Sequence, residues 1–263
     1  MMSSVSFKVV IPARYDSSRL PGKVLLDLAG KPMLEHVYQR AVESGADQIV
    51  IATDHDKVYQ AAKAFGAEVC MTHSDHCSGT DRIAEVCDKY QWADDEVVVN
   101  LQGDEPLIDP ELLYQVATDL QQHPQAEIST LCTAITNTDE LFDPHAVKVV
   151  FDKNNFALYF SRAPIPWNRD QFTKMQAENI PSKNDIGQAG IYHRHLGIYC
   201  YRVSFLNTYS TMQPCDLENL EALEQLRALW YGHKIYISTI DCPPGHGVDT
   251  EQDLQRVSDL LSH

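Results

Sequence analysis

Along the first 120 residues, short apolar runs alternate with segments whose apolar positions recur every three or four residues. Residues 7–11, 48–53 and 97–101 are strand-length runs rich in Val and Ile, and Glu68-Val-Cys-Met71 reads as a further strand. Between the first two, Met33, Leu34, Val37 and Ala41 share one face of a helix predicted over 33–44 and ended by Gly45. Asp54-His-Asp56 offers capping groups for a helix over 56–65. Ser78-Gly-Thr-Asp81 has capping-box spacing and opens a helix to Tyr90. Asp109-Pro110 sets a capping carboxylate before proline at the first helical position, so a helix follows to about 121. This alternation predicts an α/β, doubly wound, mostly parallel sheet. Ligands bind such sheets at the carboxyl ends of strands, where the winding reverses. The loops after Ile11, Thr53, Met71 and Leu101 are therefore the candidate site.

The pattern changes beyond residue 121. Residues 146–151, 157–160, 196–201 and 235–240 read as short strands, 216–230 as one helix and 250–261 as a closing helix. Residues 168–190 are polar and without periodicity, which predicts a loop. No repeat, low-complexity tract or linker interrupts the chain, so a single domain over 1–263 is expected.

Charge narrows the partners. With 21 Lys and Arg against 37 Asp and Glu, the formal net charge is −16, which disfavours nucleic acid and anionic membranes as partners. The seven cysteines include no C-x-x-C pair, which predicts scattered reduced thiols. The N-terminus lacks a basic start followed by an apolar stretch, and no apolar run reaches membrane-spanning length; a cytoplasmic protein is expected.

In so acidic a chain, one basic loop stands out. Ile11-Pro-Ala-Arg-Tyr-Asp-Ser-Ser-Arg-Leu-Pro-Gly-Lys23 follows the first strand and carries Arg14, Arg19 and Lys23. Fixed cations among turn residues at a strand's end suit a polyphosphate. Neither G-x-x-x-x-G-K-[ST] nor G-x-G-x-x-G is present. Asn100-Leu-Gln-Gly-Asp-Glu-Pro106 follows a buried strand and puts Gln102 and Asp104 at the sheet's mouth. Mg²⁺ takes one or two carboxylates plus phosphate oxygens, and Asp104 is the natural first ligand; alternatively Asp104 and Glu105 decorate a turn. In Gly245-His-Gly-Val-Asp249, followed by Thr250-Glu-Gln-Asp253, Thr250 and Asp253 already form a capping pair, leaving Asp249 for a second metal ligand or a redundant cap. Sequence alone does not bring Asp104 and Asp249 together.

Other candidates are more ambiguous. Glu218, Glu221 and Gln225 share a helical face that is either solvated or a row of acceptors for a polyhydroxylated substrate. Arg162 could clamp a carboxylate, and His195 could donate a hydrogen bond or be structural. Ser78-Gly79-Thr80 could meet a base or sugar, though capping alone explains it.

Taken in order, these segments resemble one family. Residues 12–23, Asp75-His-Cys-Ser-Gly-Thr-Asp-Arg82, Asn100 to Pro106, Ala157-Leu-Tyr-Phe-Ser-Arg162, Arg194-His-Leu-Gly-Ile-Tyr199, 217–227 and Gly247-Val-Asp-Thr250 all match the 3-deoxy-manno-octulosonate (Kdo) cytidylyltransferases, the CMP-Kdo synthetases of lipopolysaccharide biosynthesis. The likeness spans essentially the whole chain. It implies the reaction CTP + Kdo → CMP-Kdo + diphosphate, with Mg²⁺ on Asp104 and Asp249. It implies that Arg14 and Lys23 hold the triphosphate within a nucleotide site of Pro12, Ala13, Arg14, Arg19, Lys23, Ser78, Gly79 and Gln102. It further implies a Kdo pocket of Gln102, Arg162, His195, Tyr199, Glu218 and Glu221. The catalytic set it implies is Arg14, Lys23, Asp104 and Asp249. A homodimer is implied, formed through a smaller antiparallel subregion near 145–215 that also binds sugar. His73, where the family commonly has Arg, and Cys77, in place of a polar residue, depart from the pattern.

Overall fold

Val9, Val10 and Ile11 are β-branched and fully buried, as expected of a strand covered on both faces; they form the centre of β1 (Lys8–Pro12). The computed structural model describes residues 5–15, 20–76, 78–178, 190–241 and 247–261. The chain divides into two compact units. The first comprises Met1–Pro124, Ile198–Thr211 and Pro244–His263; the second comprises Gln125–Gly197 and Met212–Pro243.

In the first unit, β1 leads through a 3₁₀ turn at Lys23–Leu25 to a small hairpin, β2 (Asp27–Leu28) and β3 (Lys31–Pro32). Then come α1 (Met33–Glu43), β4 (Gln48–Thr53), α2 (Asp56–Ala64), β5 (Glu68–Met71), α3 (Gly79–Tyr90), β6 (Val97–Asn100) and α4 (Pro110–Gln122). β1 pairs in parallel with β4 on one side (Val9 opposite Ile49) and β6 on the other (Val9 opposite Val99), and β4 continues in parallel to β5. The order β6–β1–β4–β5 reverses at β1, the topological switch that the alternating pattern predicts. Ser78 caps α3 and Asp109 caps α4. The cap of α2 is His55, while Asp54 is held by the buried Arg82 (Nη2 to Oδ2, 2.6 Å).

The second unit begins with β7 (Ile128–Ala134), α5 (Thr138–Phe142), β8 (Lys148–Phe151), β9 (Ala157–Ser161) and α6 (Arg169–Glu178). The start of β10 (His193–Arg202) pairs antiparallel with β8, which pairs antiparallel with β9. Ile135, Leu141, Phe172 and Tyr192 form a core there. β10 ends in the first unit, antiparallel to β6, and α7 (Val203–Tyr209) follows. The second unit resumes with α8 (Asp216–Glu221), α9 (Gln225–Trp230) and β11 (Ile235–Thr239), the last parallel to β7. α10 (Glu251–Leu261) closes the first unit, with Val257 packed on Leu28, Met33 and Val248.

Two expectations are corrected here. The helix read over 216–230 is two helices, because Ala222 is left-handed at φ 50°. That break turns Leu220 outward, 83% exposed, while Leu223 and Leu226 stay buried. The predicted loop from 168 begins instead as α6, whose first turn is capped by the Asn168 carboxamide accepting from the Gln171 amide at 3.1 Å. Phe172 buries its ring in the second unit's core. Residues 179–189 of that predicted loop lie outside the described residues.

Candidate active site

The site forms in the first unit, where β1 and β6 end side by side. Hydrogen bonding continues past both strand ends: the Ala13 amide after β1 donates to the Ala52 carbonyl of β4 at 2.8 Å, and the Leu101 amide after β6 donates to Val10 of β1 at 3.0 Å. The turn after β6 then crosses the loop after β1 at close range. A Cβ on Gly103 would lie 3.0 Å from the Pro12 carbonyl oxygen and 3.4 Å from the Val24 side chain, so this crossing needs glycine. Asp104 is thereby set beside Lys23.

Lys23 is placed by its own turn. Gly22 adopts φ 68°, its amide donates to the Tyr15 carbonyl at 2.9 Å, and the Lys23 amide donates to Leu20 at 3.0 Å. The C-terminal segment joins through backbone. The Val248 amide donates to the Asp104 carbonyl at 2.9 Å, and a Cβ on Gly247 would meet that carbonyl at 3.1 Å and Glu105 Oε1 at 3.0 Å. Asp253 accepts from the amides of Asp249 and Thr250, so capping falls to Asp253 and the Asp249 carboxylate turns to Lys23.

Residues distant in sequence therefore converge on one cation. Lys23 Nζ lies 2.5 Å from Asp104 Oδ2 and 3.1 Å from Asp249 Oδ1. Burial works against the ammonium, but these two carboxylates outweigh it and raise its pKa above the ordinary lysine value. Glu105 sits beside them; burial, then the charges of Asp104 and Asp249, push its pKa up to about 7. Two carboxylates that already share a cation fit a divalent ion. Among the described residues no group of three His, Cys, Asp or Glu converges as a cage. The Asp104–Asp249 pair alone matches the one or two protein carboxylates that Mg²⁺ takes beside phosphate oxygens and water.

Pro12, Ala13, Arg14, Ser78, Gly79 and Gln102 of the predicted nucleotide site belong to the same unit. Arg14 follows Ala13 and donates from Nη2 to the His76 carbonyl at 2.6 Å. Gly79, at the start of α3, faces the Pro12 ring, with 3.8 Å from its Cβ position to Pro12 Cγ. Ser78 Oγ accepts from the Asp81 amide at 3.0 Å and donates to the Asp81 carboxylate at 2.8 Å, so capping engages it. Gln102 is exposed at the turn, its carbonyl accepting from Glu105 at 3.3 Å. Tyr199 is paired with Asn100 at the end of β6 and stacks on Tyr201 at 5.7 Å. Arg19 lies outside the described residues.

Arg162, His195, Glu218 and Glu221 belong to the second unit. Arg162 spends its guanidinium on carbonyls: Nε on Glu221 at 2.6 Å, Nη1 on Pro144 at 2.9 Å, Nη2 on Ala222 at 3.4 Å. The Glu221 carboxylate accepts from Ser161 Oγ at 2.6 Å and from the Arg162 amide at 2.9 Å. Glu218 is buried and gripped by Arg227 at 2.7 and 2.5 Å. His195 Nε2 meets Thr130 Oγ1 at 3.0 Å; although its surface is not wholly covered, burial pushes its pKa down to about 3 and keeps the ring neutral.

Sequence reasoning passed over three groups near the loop. Glu105 read as turn decoration, although its place between Gly103 and Pro106 points it at the same close crossing. Tyr15 and His55 stack with ring centroids 4.1 Å apart; the sequence offers His55 as a capping group for α2 but carries no signal for the stack. Cys70, Cys87, Cys132, Cys200 and Cys215 are buried and free; Cys77 and Cys242 lie outside the described residues. No described helix is long and apolar enough to cross a membrane.

The chain is similar to known proteins. A family model described as cytidylyltransferase matches residues 8–235. The chain is 52% identical over 255 residues to a 3-deoxy-manno-octulosonate cytidylyltransferase of Coxiella burnetii (strain Dugway 5J108-111), covering 96% of this chain and 98% of that one. It is 54% identical over 258 residues to 3-deoxy-manno-octulosonate cytidylyltransferase 1 of Actinobacillus pleuropneumoniae serotype 5b (strain L20), covering 98% and 100%. A solved structure of CMP:2-keto-3-deoxy-manno-octonic acid synthetase complexed with CTP superposes with a TM-score of 0.85 at 42% identity, over 98% of this chain and 99% of that one.

Proposed function

The chain belongs to the cytidylyltransferase family, and from that premise we propose that it transfers the cytidylyl group of CTP to 3-deoxy-manno-octulosonate, giving CMP-Kdo and diphosphate. The observation that carries the reading is the meeting of Lys23, Asp104 and Asp249, three residues from separate segments, at the sheet's switch point.

In this reading the anomeric hydroxyl oxygen of the sugar acid bonds to the α-phosphorus of CTP. The bond from that phosphorus to the oxygen bridging to the β-phosphate breaks, and diphosphate leaves with the electron pair. The hydroxyl proton passes to solvent, so no protein nucleophile is required. The protein's work is alignment and charge stabilisation. Asp104 and Asp249 hold the divalent ion. Mg²⁺, when bound, polarises the α-phosphate and lowers the pKa of the attacking hydroxyl. Lys23 and Arg14 offset negative charge on the departing diphosphate. Pro12, Ala13, Ser78 and Gly79 border the nucleoside, and Gln102 and Tyr199 contact the sugar acid at the end of β6. A homodimer through the second unit accords with exposed Leu158, Trp167 and Ile191 there. The product serves lipopolysaccharide biosynthesis, and CTP as substrate accords with a cytoplasmic enzyme.

The test is diphosphate release with CTP, Mg²⁺ and a panel of keto-sugar acids. The proposal expects release with Kdo, at a kcat/KM well above that with a sialic acid. Tight CTP binding without release with any acceptor would make the chain a nucleotide sensor instead.

A further inference from the structure

The loop after β1 carries the phosphate-binding cations, and its two ends meet on one aromatic ring. Tyr15 adjoins Arg14, its carbonyl accepts from Gly22, and a Cβ on Gly22 would sit 3.3 Å from its ring. That ring stacks on His55, with centroids 4.1 Å apart and planes inclined at 15°. Lys57 reaches the same ring from above, 5.1 Å from its centroid, and donates to the Tyr15 hydroxyl at 3.3 Å. His55 in turn is fixed by α2: its Nδ1 accepts from the Lys57 amide at 3.1 Å as the helix N-cap. The imidazole therefore serves two purposes, a cap through one nitrogen and a platform through its face.

We propose that His55 is a positioning residue for nucleotide binding, holding Tyr15 so that Arg14 and Lys23 face the triphosphate together. His55 acts through Tyr15 and touches none of the reacting atoms. The inference rests on the reading of the 12–23 loop as the CTP site. Physically, a stack so nearly parallel restricts the Tyr15 ring. A restricted ring leaves Gly22 one seat, and Gly22 sets the Lys23 turn. Without the platform Tyr15 and Gly22 sample other seats, and CTP must restore the ordered one at the expense of affinity.

Cap and platform separate cleanly by substitution. His55→Asn keeps a good N-cap acceptor and removes the aromatic face; His55→Phe keeps the face and removes the cap. In the full chain, His55→Asn is expected to raise KM for CTP about two- to tenfold, the worth of one aromatic stack, with kcat within about twofold of the parent. His55→Phe is expected to hold KM near the parent while its melting temperature falls. Tyr15→Leu should reproduce the KM of His55→Asn, and combining the two should add nothing. A parental KM in His55→Asn, or an equal KM defect in His55→Phe, overturns the assignment. Lys23→Gln is the companion control. If it leaves CTP use intact, the phosphate-grip reading falls; if it impairs CTP use while His55→Asn does not, only the role of His55 falls.

Discussion

Replacing Lys23 by Met removes the cation shared by Asp104 and Asp249 and leaves two carboxylates facing each other. The lysine side chain is 12% exposed, against 30% for Asp104 and 46% for Asp249, so the cluster is open on its acidic side. Two unit charges 4 Å apart are worth about 4 kcal/mol at an effective dielectric of 20. Screening at so open a site leaves about 1–2 kcal/mol for the cluster. A chain of this length moves its melting temperature by about 2–4 °C per kcal/mol, so Lys23→Met should melt about 2–8 °C lower. Loss of one electrostatic stabiliser should also lower CTP turnover by about 10²–10³. Circular dichroism melts with EDTA or with millimolar Mg²⁺ give the distinguishing readout. The ion should raise the melting temperature of Lys23→Met more than that of the parent, because it no longer competes with the ammonium for the same oxygens. A variant with parental stability and turnover, or one whose stability ignores Mg²⁺, would refute the shared-cation geometry.

Three further outcomes follow from the same structure. Glu105 has its pKa raised from 4.5 to about 7, so the folded state binds its proton more tightly than the unfolded chain. Its contribution is therefore lost as pH rises from about 4.5 to about 7, and Glu105→Gln in EDTA should gain up to about 3 kcal/mol over the parent across that window; parallel stability–pH curves would contradict this. Glu218→Ala removes the carboxylate that grips the buried Arg227 and should cost about 3–5 kcal/mol in urea unfolding, where a loss below about 1 kcal/mol would show the pair to be dispensable. Gly103→Ala forces a Cβ to within 3.0 Å of the Pro12 carbonyl, so the crossing must open and turnover should fall while Kdo-independent stability changes little; parental turnover would show that the crossing can give.

The parallel core was readable because β1, β4 and β6 are runs rich in buried Val and Ile, and β5 buries Val69 and Cys70, so pattern and burial agree. β7 hid because Ser129 and Thr130, fully buried, interrupt its apolar run with hydroxyls. The 216–230 segment kept its helical wheel on paper, yet a left-handed Ala222 has no signature in a sequence that favours helix on both sides. At the site, residue type and position at strand ends singled out Lys23, Asp104 and Asp249. Their convergence was not legible, because it depends on backbone contacts such as Val248 to Asp104 and on the space at Gly103 and Gly247. Glu218 and Glu221 show the opposite case. Their spacing reads as a solvated face or a row of acceptors, but Arg227, Ser161 and the Arg162 amide, which periodicity does not register, occupy their oxygens.

The account turns on a divalent ion shared by Asp104 and Asp249 over the triphosphate. Crystals grown with CTP and Mn²⁺ and measured at the manganese edge address that directly. An anomalous peak within coordinating distance of both carboxylates and of a phosphate oxygen is predicted. A peak touching only one of the two carboxylates, or lying elsewhere while CTP occupies the loop, would contradict it.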